Sequence, residues 1–518
     1  LYWQGRDNLR PGDMPPLIKI VSGWVPLIMD APLPKRTFDD VKDRDEWNLA
    51  LAMMQGMSAA DVRRYFFAAR LPMLIFPVGC CLLIWWWGRQ IFAPWAAVAA
   101  MCAFCLTPVV LGHGVLVKND LAASFGYLLF WYRAWRYWRA PTWRNGAWMG
   151  VGVLAGVLAK FSLAILLPIA PMVIAARHST GRHRSLRRAA AGCASCAVVV
   201  YVGMLAAWQF RLEPLAFSEL QAWKADSGIP KILPKAVHVL SAIPLPGAFW
   251  RGGMSLVRSN HSVPSYLLGQ TTFTGDPWYF LVALAVKIPV AIQALLAIAF
   301  THLAGVALSG RLLPGDWCWL LPGFLYLGLA SLSGLQIGIR LVLPAIVFLL
   351  LASAKAFEKM SSRRSLRFTA LALMLFLAGR TAHAYPNYIA TFNLWVSDSW
   401  RGLGVLSDSN VDWGQDLPAL ARWFGKAGIP RLSVSYFGTE NVWAYFDERQ
   451  IELIAPPWSA ELTKGRTRFE PASGYYAISG TLLTGQYFAP PYRDYYSVFR
   501  GMQPVGQAGG SIFIFRVP

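Results

Sequence analysis

Ten apolar runs decide most of what this chain can become. They fall at roughly 71–88, 91–111, 121–138, 146–159, 161–176, 189–209, 277–305, 317–333, 340–354 and 367–384. A spanning helix needs about 20 predominantly apolar residues, so the shorter runs have only approximate ends. With 56% of its 518 residues hydrophobic and 14% charged, the chain is too apolar for a soluble domain. It reads as an all-α polytopic transmembrane protein with a smaller α/β domain appended.

The charged residues between the runs set an orientation. Arg133–Arg144 carries four Arg, Arg177–Arg188 five Arg with two His, and Lys355–Arg367 three Arg and two Lys. Basic loops stay cytoplasmic, so these three are expected inside, at the plasma (inner) membrane. The turn Leu106–Asp120, the turn at Lys160, the loop 210–276, the turn Ser331–Arg340 and everything after Ala384 then fall outside. So does the segment 1–70. The excess of 48 Lys and Arg over 27 Asp and Glu follows from this topology, and nucleic acid is not an expected partner. The 24 Trp suit interfacial belts. Ten spans with both ends outside imply one more span before Leu1, and the chain reads as an N-terminally truncated fragment.

Three regions follow: a first outer loop, 1–70; a transmembrane domain of about ten spans, 71–384; and an extracytoplasmic α/β domain, 385–518. In the first, Leu17–Met29 is too short to span, and Asp39–Arg70 has the pattern of a surface amphipathic helix, with Trp47, Leu49, Leu51, Met53 and Met54 as its apolar content. In the third, a helical pattern at Leu417–Ala427 stands among strand-like runs at Leu432–Phe437, Tyr475–Ser479 and Ser511–Val517. The seven Cys lie in or beside apolar runs and imply no disulfide framework; Cys193 and Cys196 have redox spacing but sit among Ala and Val as small packing residues.

Between two apolar runs lies Leu106–Ser124, LTPVVLGHGVLVKNDLAAS, with His113, Lys118, Asn119 and Asp120. An ionisable group costs about 2.5–3.5 kcal/mol at the centre of a spanning helix. Several together therefore predict a turn at a membrane face, with Asp120 opening the next helix. The plain alternative makes Asn119 or Asp120 an N-cap. The other candidates are Asp13 and Lys19 in the first loop, Lys160 in LAKFS, Lys287 in ALAVKIP and Arg340 in GLQIGIRLVLP. The three cations interrupt apolar runs. Snorkelling to the interface explains such cations without function; for Lys287 it is the preferred reading, while Lys160 and Arg340 divide between it and a site.

Carboxylates beside cations at a lipid boundary suit transfer of a sugar from a polyprenyl phosphate to a hydroxyl. The phosphate leaving group needs Arg or Lys, and the acceptor hydroxyl needs a carboxylate. No phosphate-cradling Gly-rich loop is present. Two other classes compete. A transporter or lipid flippase places its polar groups near the midplane in related halves, whereas these charges gather at one face. A non-catalytic scaffold would use the outer domain to bind a partner.

These stretches carry a resemblance. LTPVVLGHGVLVKNDLA, GDMPPLIK, SYLLGQTTFTGDPWYFLVALAVKIP, GIRLVLPAI, YPNYIATFN and LSDSNVDWGQDLPALARW resemble, in order and over nearly the whole chain, blocks of bacterial relatives of the dolichyl-phosphate-mannose protein mannosyltransferases. These are family-39-like integral-membrane glycosyltransferases of the C fold. The resemblance implies a polyprenyl-phosphate-linked sugar donor, hexosyl or mannosyl transfer on the outer face, and protein O-glycosylation or other cell-envelope work on a protein, lipid or glycan acceptor. It implies Asp13 and Asp120 as catalytic carboxylates and Arg340 as a donor-phosphate contact. Lys160 joins Arg340 from the residue reading, with Lys19, His113, Lys118 and Asn119 in support. No cofactor is certain, and a divalent cation is left open. The chain departs from the family twice. Met14 stands where the family has His, and the family's Asp-Glu pair, its expected base, belongs upstream of Leu1.

Asp408-Ser-Asn410-Val-Asp412-Trp-Gly-Gln-Asp416 has the spacing of a calcium loop, but Trp413 replaces the loop's Gly and Ala419 its final Glu. Loop structure, with Asp416 capping the next helix, is preferred over metal binding, and a role in acceptor binding is left open.

Overall fold

The computed structural model describes residues 14–29, 54, 57–179, 185–212, 215, 217–226, 237 and 243–518, without the His261 side chain. Asp13 and residues 39–53 of the expected amphipathic helix lie outside them. Ala59–Arg70 is helical, capped by Ser58.

Most of the chain is helical. Among the described residues six helical segments are long and apolar enough to cross a membrane: Ala59–Ile91, Phe161–Ser179, Leu186–Ala207, Val290–Leu308, Ile339–Met360 and Arg364–Ala384. A seventh is the pair Pro94–Cys105 and Pro108–Gly114, bent by 63°. The bend follows from Pro108, which has no N–H to donate and holds Thr107 extended. The ten expected spans are reached only by adding Asn119–Arg139, Trp143–Ala159 and Trp317–Ser331, which are shorter or carry more charge. The run 277–305 is two helices, Tyr279–Lys287 and Val290–Leu308, separated at Pro289.

Asn119–Arg139 and Trp143–Ala159 form the hairpin that matters most. The turn between them is Ala140–Thr142, and the Thr142 hydroxyl accepts from the Asn145 N–H. The helices approach closely because glycine lines their contact. A Cβ on Gly126 would stand 2.5 Å from the Gly156 nitrogen, and one on Gly152 2.5 Å from the Phe130 Cα. With the turn near residue 140, the antiparallel hairpin returns Lys160 to the level of Asp120. Asn119–Arg139 also packs on Ile75–Ile91 and on Leu343–Ala352. Trp87, Tyr127, Trp131 and Phe348 fill that junction with edge-on and tilted ring contacts.

Residues 385–518 carry a five-stranded sheet. A ribbon in the preceding loop supplies β1 (Ser265–Leu267) and β2 (Gln270–Thr272). The sheet strands are β3 (Leu432–Ser435), β4 (Ile451–Leu453), β5 (Gly474–Ser479), β6 (Gly506–Ala508) and β7 (Ile512–Val517), in the order β4-β3-β5-β7-β6. β3 runs parallel to β4 and β5, and β7 antiparallel to β5 and β6. The helix Leu417–Ala427 buries Leu417, Leu420 and Phe424, one face at helical spacing, and ends at Gly428 in the left-handed region. Leu403, Leu406, Phe499, Phe513 and Phe515 join the same apolar core as the bundle. The sheet domain is therefore packed onto the helices.

Candidate functional site

Asp120 sits at the second position of its helix, 1% exposed. It caps nothing: Lys118 occupies the N-cap position and no side chain bonds there. Its two oxygens are instead taken by two cations. Lys160 Nζ donates to Oδ1 at 3.0 Å, and Arg340 Nη1 to Oδ2 at 3.0 Å. The side chains of Lys160 and Arg340 are 12% and 8% exposed, so neither snorkels. One carboxylate thus gathers both cations expected at a donor phosphate.

Arg340 is placed by the turn before it. Gly338 adopts φ +153°, and a Cβ there would collide with the Ser409 hydroxyl. The short 3-10 turn Ile339–Val342 then aims Arg340 both at Asp120 and at the sheet-domain loop. Its Nε donates to Ser409 Oγ at 3.0 Å, and its guanidinium lies 4.8 Å from the Trp413 ring centroid. His113 meets the same indole edge-on at 5.9 Å, and Lys118 Nζ lies 5.7 Å from it. The buried His113 Nδ1 has no hydrogen-bond partner among the described residues. Asn119 is buried beside Asp120. Lys19 stands on the short helix Leu17–Ser22, which packs against both hairpin helices.

Lys287 overturns the snorkelling expectation. It is 3% exposed, donates to the carbonyl oxygens of Ile389 (2.8 Å) and Asn410 (2.6 Å), and lies 4.2 Å from the Phe392 ring centroid. The Asn410 amide in turn accepts from the Ile339 N–H and donates to the Tyr279 hydroxyl, both at 3.0 Å. Buried charge persists where such partners exist, and these tie the bundle to the loop after it.

The Asp408–Asp416 segment disperses its acidic side chains. Asp408 Oδ2 accepts from the Tyr487 hydroxyl at 2.8 Å. Asp412 accepts from the Gly414 N–H at 2.9 Å and faces the Thr481 N–H at 3.4 Å. Asp416 corrects the capping expectation: it stands at the N-cap position with no capping bond. Its Oδ2 accepts from the Gly510 N–H (2.7 Å) and from the Ser511 N–H and hydroxyl (2.8 Å each), locking the turn between β6 and β7. Among the described residues no group of three or more His, Cys, Asp or Glu side chains is placed to hold a metal ion.

Burial pushes the Asp408 carboxyl up to about 6, against the pull of Arg340, the Tyr487 hydroxyl, the Ser409 N–H and Lys118. Burial likewise pushes Asp412 up to about 7, against its two backbone N–H groups. The contributions of Ser409, Trp413 and Asp408 were not visible in the sequence. The signal is DSNVDWGQD itself, which suits loop structure and leaves acceptor binding open.

No family model matches the chain, and no curated protein matches it. Among solved structures it is similar to the oligosaccharyltransferase of Archaeoglobus fulgidus. For the apo form the identity is 14%, the TM-score 0.35, and the match covers 80% of this chain and 59% of that one. For the enzyme in complex with an inhibitory peptide and a dolichol-phosphate the values are 13%, 0.38, 90% and 61%. The chain thus spans about three fifths of the length of the structures it matches.

Proposed function

We propose that the chain is an integral-membrane glycosyltransferase that moves a sugar from a polyprenyl-phosphate donor to an acceptor hydroxyl at the outer face of the membrane. The observation that carries this reading is the buried Asp120–Lys160–Arg340 cluster. Two cations share one carboxylate. An excess of positive charge in a mostly buried place calls for an anion, and a lipid phosphate is the anion available at a membrane face. Arg340 presents a planar fork suited to phosphate. Asp120 holds that fork and the Lys160 ammonium in place, so the donor phosphate meets cations already oriented.

The geometry of the hairpin favours one face. Asn119–Arg139 has 21 residues, about 30 Å of helix at 1.5 Å per residue, close to the thickness of a bilayer core. Asp120 stands at one end and Arg133, Arg136 and Arg139 towards the other. With the basic end inside, the site lies outside together with the sheet domain. Hexose or mannose as the sugar, a protein, lipid or glycan acceptor, a plasma-membrane location and participation of Asp13 and Lys19 belong to the same proposal. They rest on the resemblance stated for the sequence.

The test is cleavage of the donor. The full chain in lipid nanodiscs is given polyprenyl-phosphate mannose and polyprenyl-phosphate glucose, with a Ser/Thr peptide or an alkyl glycoside as acceptor. Release of polyprenyl phosphate with the sugar on the acceptor or on water is expected. Donors that are moved between leaflets but never cleaved would point to a flippase and sink the proposal.

A further inference from the structure

The sheet domain brings a second carboxylate to Arg340. Ser409 shares its hydroxyl with the guanidinium, and Asp408 is the residue before it. Asp408 is held at φ +54°, in the left-handed region that costs a side-chain-bearing residue energy and that Asp tolerates better than most. It is 6% exposed. Its partner is the Tyr487 hydroxyl, and the Tyr487 ring lies parallel to Phe437 with centroids 6.0 Å apart. The two carboxylates therefore differ in kind. Asp120 has each oxygen bonded to a cation. Asp408 has a neutral hydroxyl on one oxygen and feels Arg340 and Lys118 only through space.

That difference separates their chemistry. Each Asp120 oxygen already has a cation hydrogen-bonded to it, so it is poorly placed to receive a hydroxyl. Asp408 is one residue from the guanidinium's own contact and bonded to no cation. It can accept a hydrogen bond from a sugar-accepting hydroxyl while Arg340 faces the phosphate. The buried His113 Nδ1 beside the same Trp413 has no hydrogen-bond partner among the described residues, so they do not complete the polar lining here.

We propose that Asp408, held by Tyr487, is the carboxylate that receives the acceptor hydroxyl, while Asp120 holds the donor-side cations. This rests on the glycosyl-transfer reading and assigns the acceptor side of that site. An ionised Asp408 accepts the hydroxyl's hydrogen in a charge-assisted bond; a protonated one offers only a neutral and weaker acceptor. Binding of the acceptor therefore follows the ionisation of Asp408. The groups that face it are Arg340, Lys118, Tyr487, Tyr279 and Asp412. Burial pushes the Tyr487 hydroxyl up, so it keeps its proton at acid pH. Asp412, pushed up to about 7, takes up its proton before Asp408 as the pH falls, so the Asp408→Asn profile is what separates the two carboxyls.

The experiment measures donor and acceptor KM from pH 5 to 8 on the full chain, with polyprenyl-phosphate mannose or glucose as donor and a Ser/Thr peptide or alkyl glycoside as acceptor. For the unaltered protein, acceptor KM should rise about tenfold per pH unit below about 6 while donor KM stays level. Asp408→Asn should raise acceptor KM about tenfold or more at pH 8, with a smaller change in donor KM, and abolish the acid dependence of acceptor KM. Tyr487→Phe keeps the ring and removes the hydrogen bond that favours the ionised form, so the onset of the acid rise should move to higher pH. Unchanged acceptor KM in Asp408→Asn, or an equal rise in both KM values, overturns the assignment. Where Asp408→Asn does not fold, an unmoved onset in Tyr487→Phe overturns it. An unaltered protein that cleaves neither donor takes down the glycosyl-transfer reading itself, whereas an active protein indifferent to Asp408→Asn removes only this inference.

Discussion

The two ends of the Asn119–Arg139 hairpin both gather basic residues and use them in opposite ways. At the turn end the guanidinium groups lie against indoles. Arg133 stands 4.4 Å from the Trp148 ring centroid, Arg139 4.8 Å from Trp135, Arg144 5.5 Å from Trp143, and Arg177 5.8 Å from Trp138. That is how a helix end sits in a membrane interface, apolar stem and ring below, charge above. At the other end Lys160 and Arg340 are buried and bonded to one carboxylate. The same kind of charge lies at the surface in one place and, on the proposed function, holds the donor in the other. What distinguishes them is whether a fixed anion and a second domain meet the charge. Among the described residues the turn end has neither; the Asp120 end has Asp120 on one side and Ser409 and Trp413 on the other.

The comparison breaks first at Arg340. Arg340→Ala removes the contacts to Asp120, Ser409 and Trp413 together. Transfer should fall by about 100-fold or more, the scale of one preorganised electrostatic contact. Arg340→Lys should recover part of it, because a point charge cannot serve Asp120, Ser409 and a phosphate at once. Asp120→Asn comes next, with a loss of at least about tenfold. It leaves Lys160 and Arg340 facing each other without their anion, so its melting temperature should also fall. Transfer rates and thermal melts of the three variants check this. Full activity in Arg340→Ala returns the site end to the status of the turn end.

Much of this contrast was legible in the sequence, and the part that was not has physical causes. An apolar run of about 18 residues, a short basic turn and a second apolar run already place residues 120 and 160 side by side, because helical rise is constant. β3, β5 and β7 showed as runs of β-branched and aromatic residues. The edge strands β4 and β6 have three residues each, too few for a period to appear. Lys287 was misread because hydropathy sees a cation near a helix end and cannot see the carbonyl oxygens of Ile389 and Asn410 that arrive from over 100 residues away. Asp416 was misread for the same reason. A capping position is local, whereas the Gly510 and Ser511 N–H groups that claim its side chain belong to another strand pair.

Lys287 sharpens the comparison, since it is a site-end cation with no carboxylate. Its bonds run to backbone oxygens of the segment joining bundle to sheet domain. Lys287→Met keeps much of the volume and strands those two carbonyl groups. The expected cost is about 3–6 kcal/mol, from two hydrogen bonds to a charged group. It should read as a lower melting temperature with donor KM altered less than about threefold. A loss of transfer without a loss of stability would move Lys287 from the scaffold to the site.

The smallest effect is expected at the turn end, and it tests the orientation. If Arg139 serves only as an interfacial anchor, Arg139→Gln loses one cation–π contact with Trp135, about 0.5–1 kcal/mol at an exposed position. Transfer should stay within about twofold, because nothing in the site touches it. The charge itself matters to topology in aggregate: in the proposed orientation, four Arg between residues 133 and 144 favour the cytoplasmic side for this end, and one removal leaves three. Single cysteines in an otherwise Cys-free background, placed in 139–145 and in 385–518 and exposed to an impermeant maleimide on intact cells, report the two ends separately. Labelling of the sheet domain but not of the turn is expected, with Arg139→Gln leaving the pattern as it is. The reverse pattern would put the Asp120 cluster on the cytoplasmic face, and the donor phosphate would then have to be met inside. A large loss of transfer in Arg139→Gln with unchanged labelling would instead show that the two ends are coupled through the hairpin, and the contrast drawn between them would no longer hold.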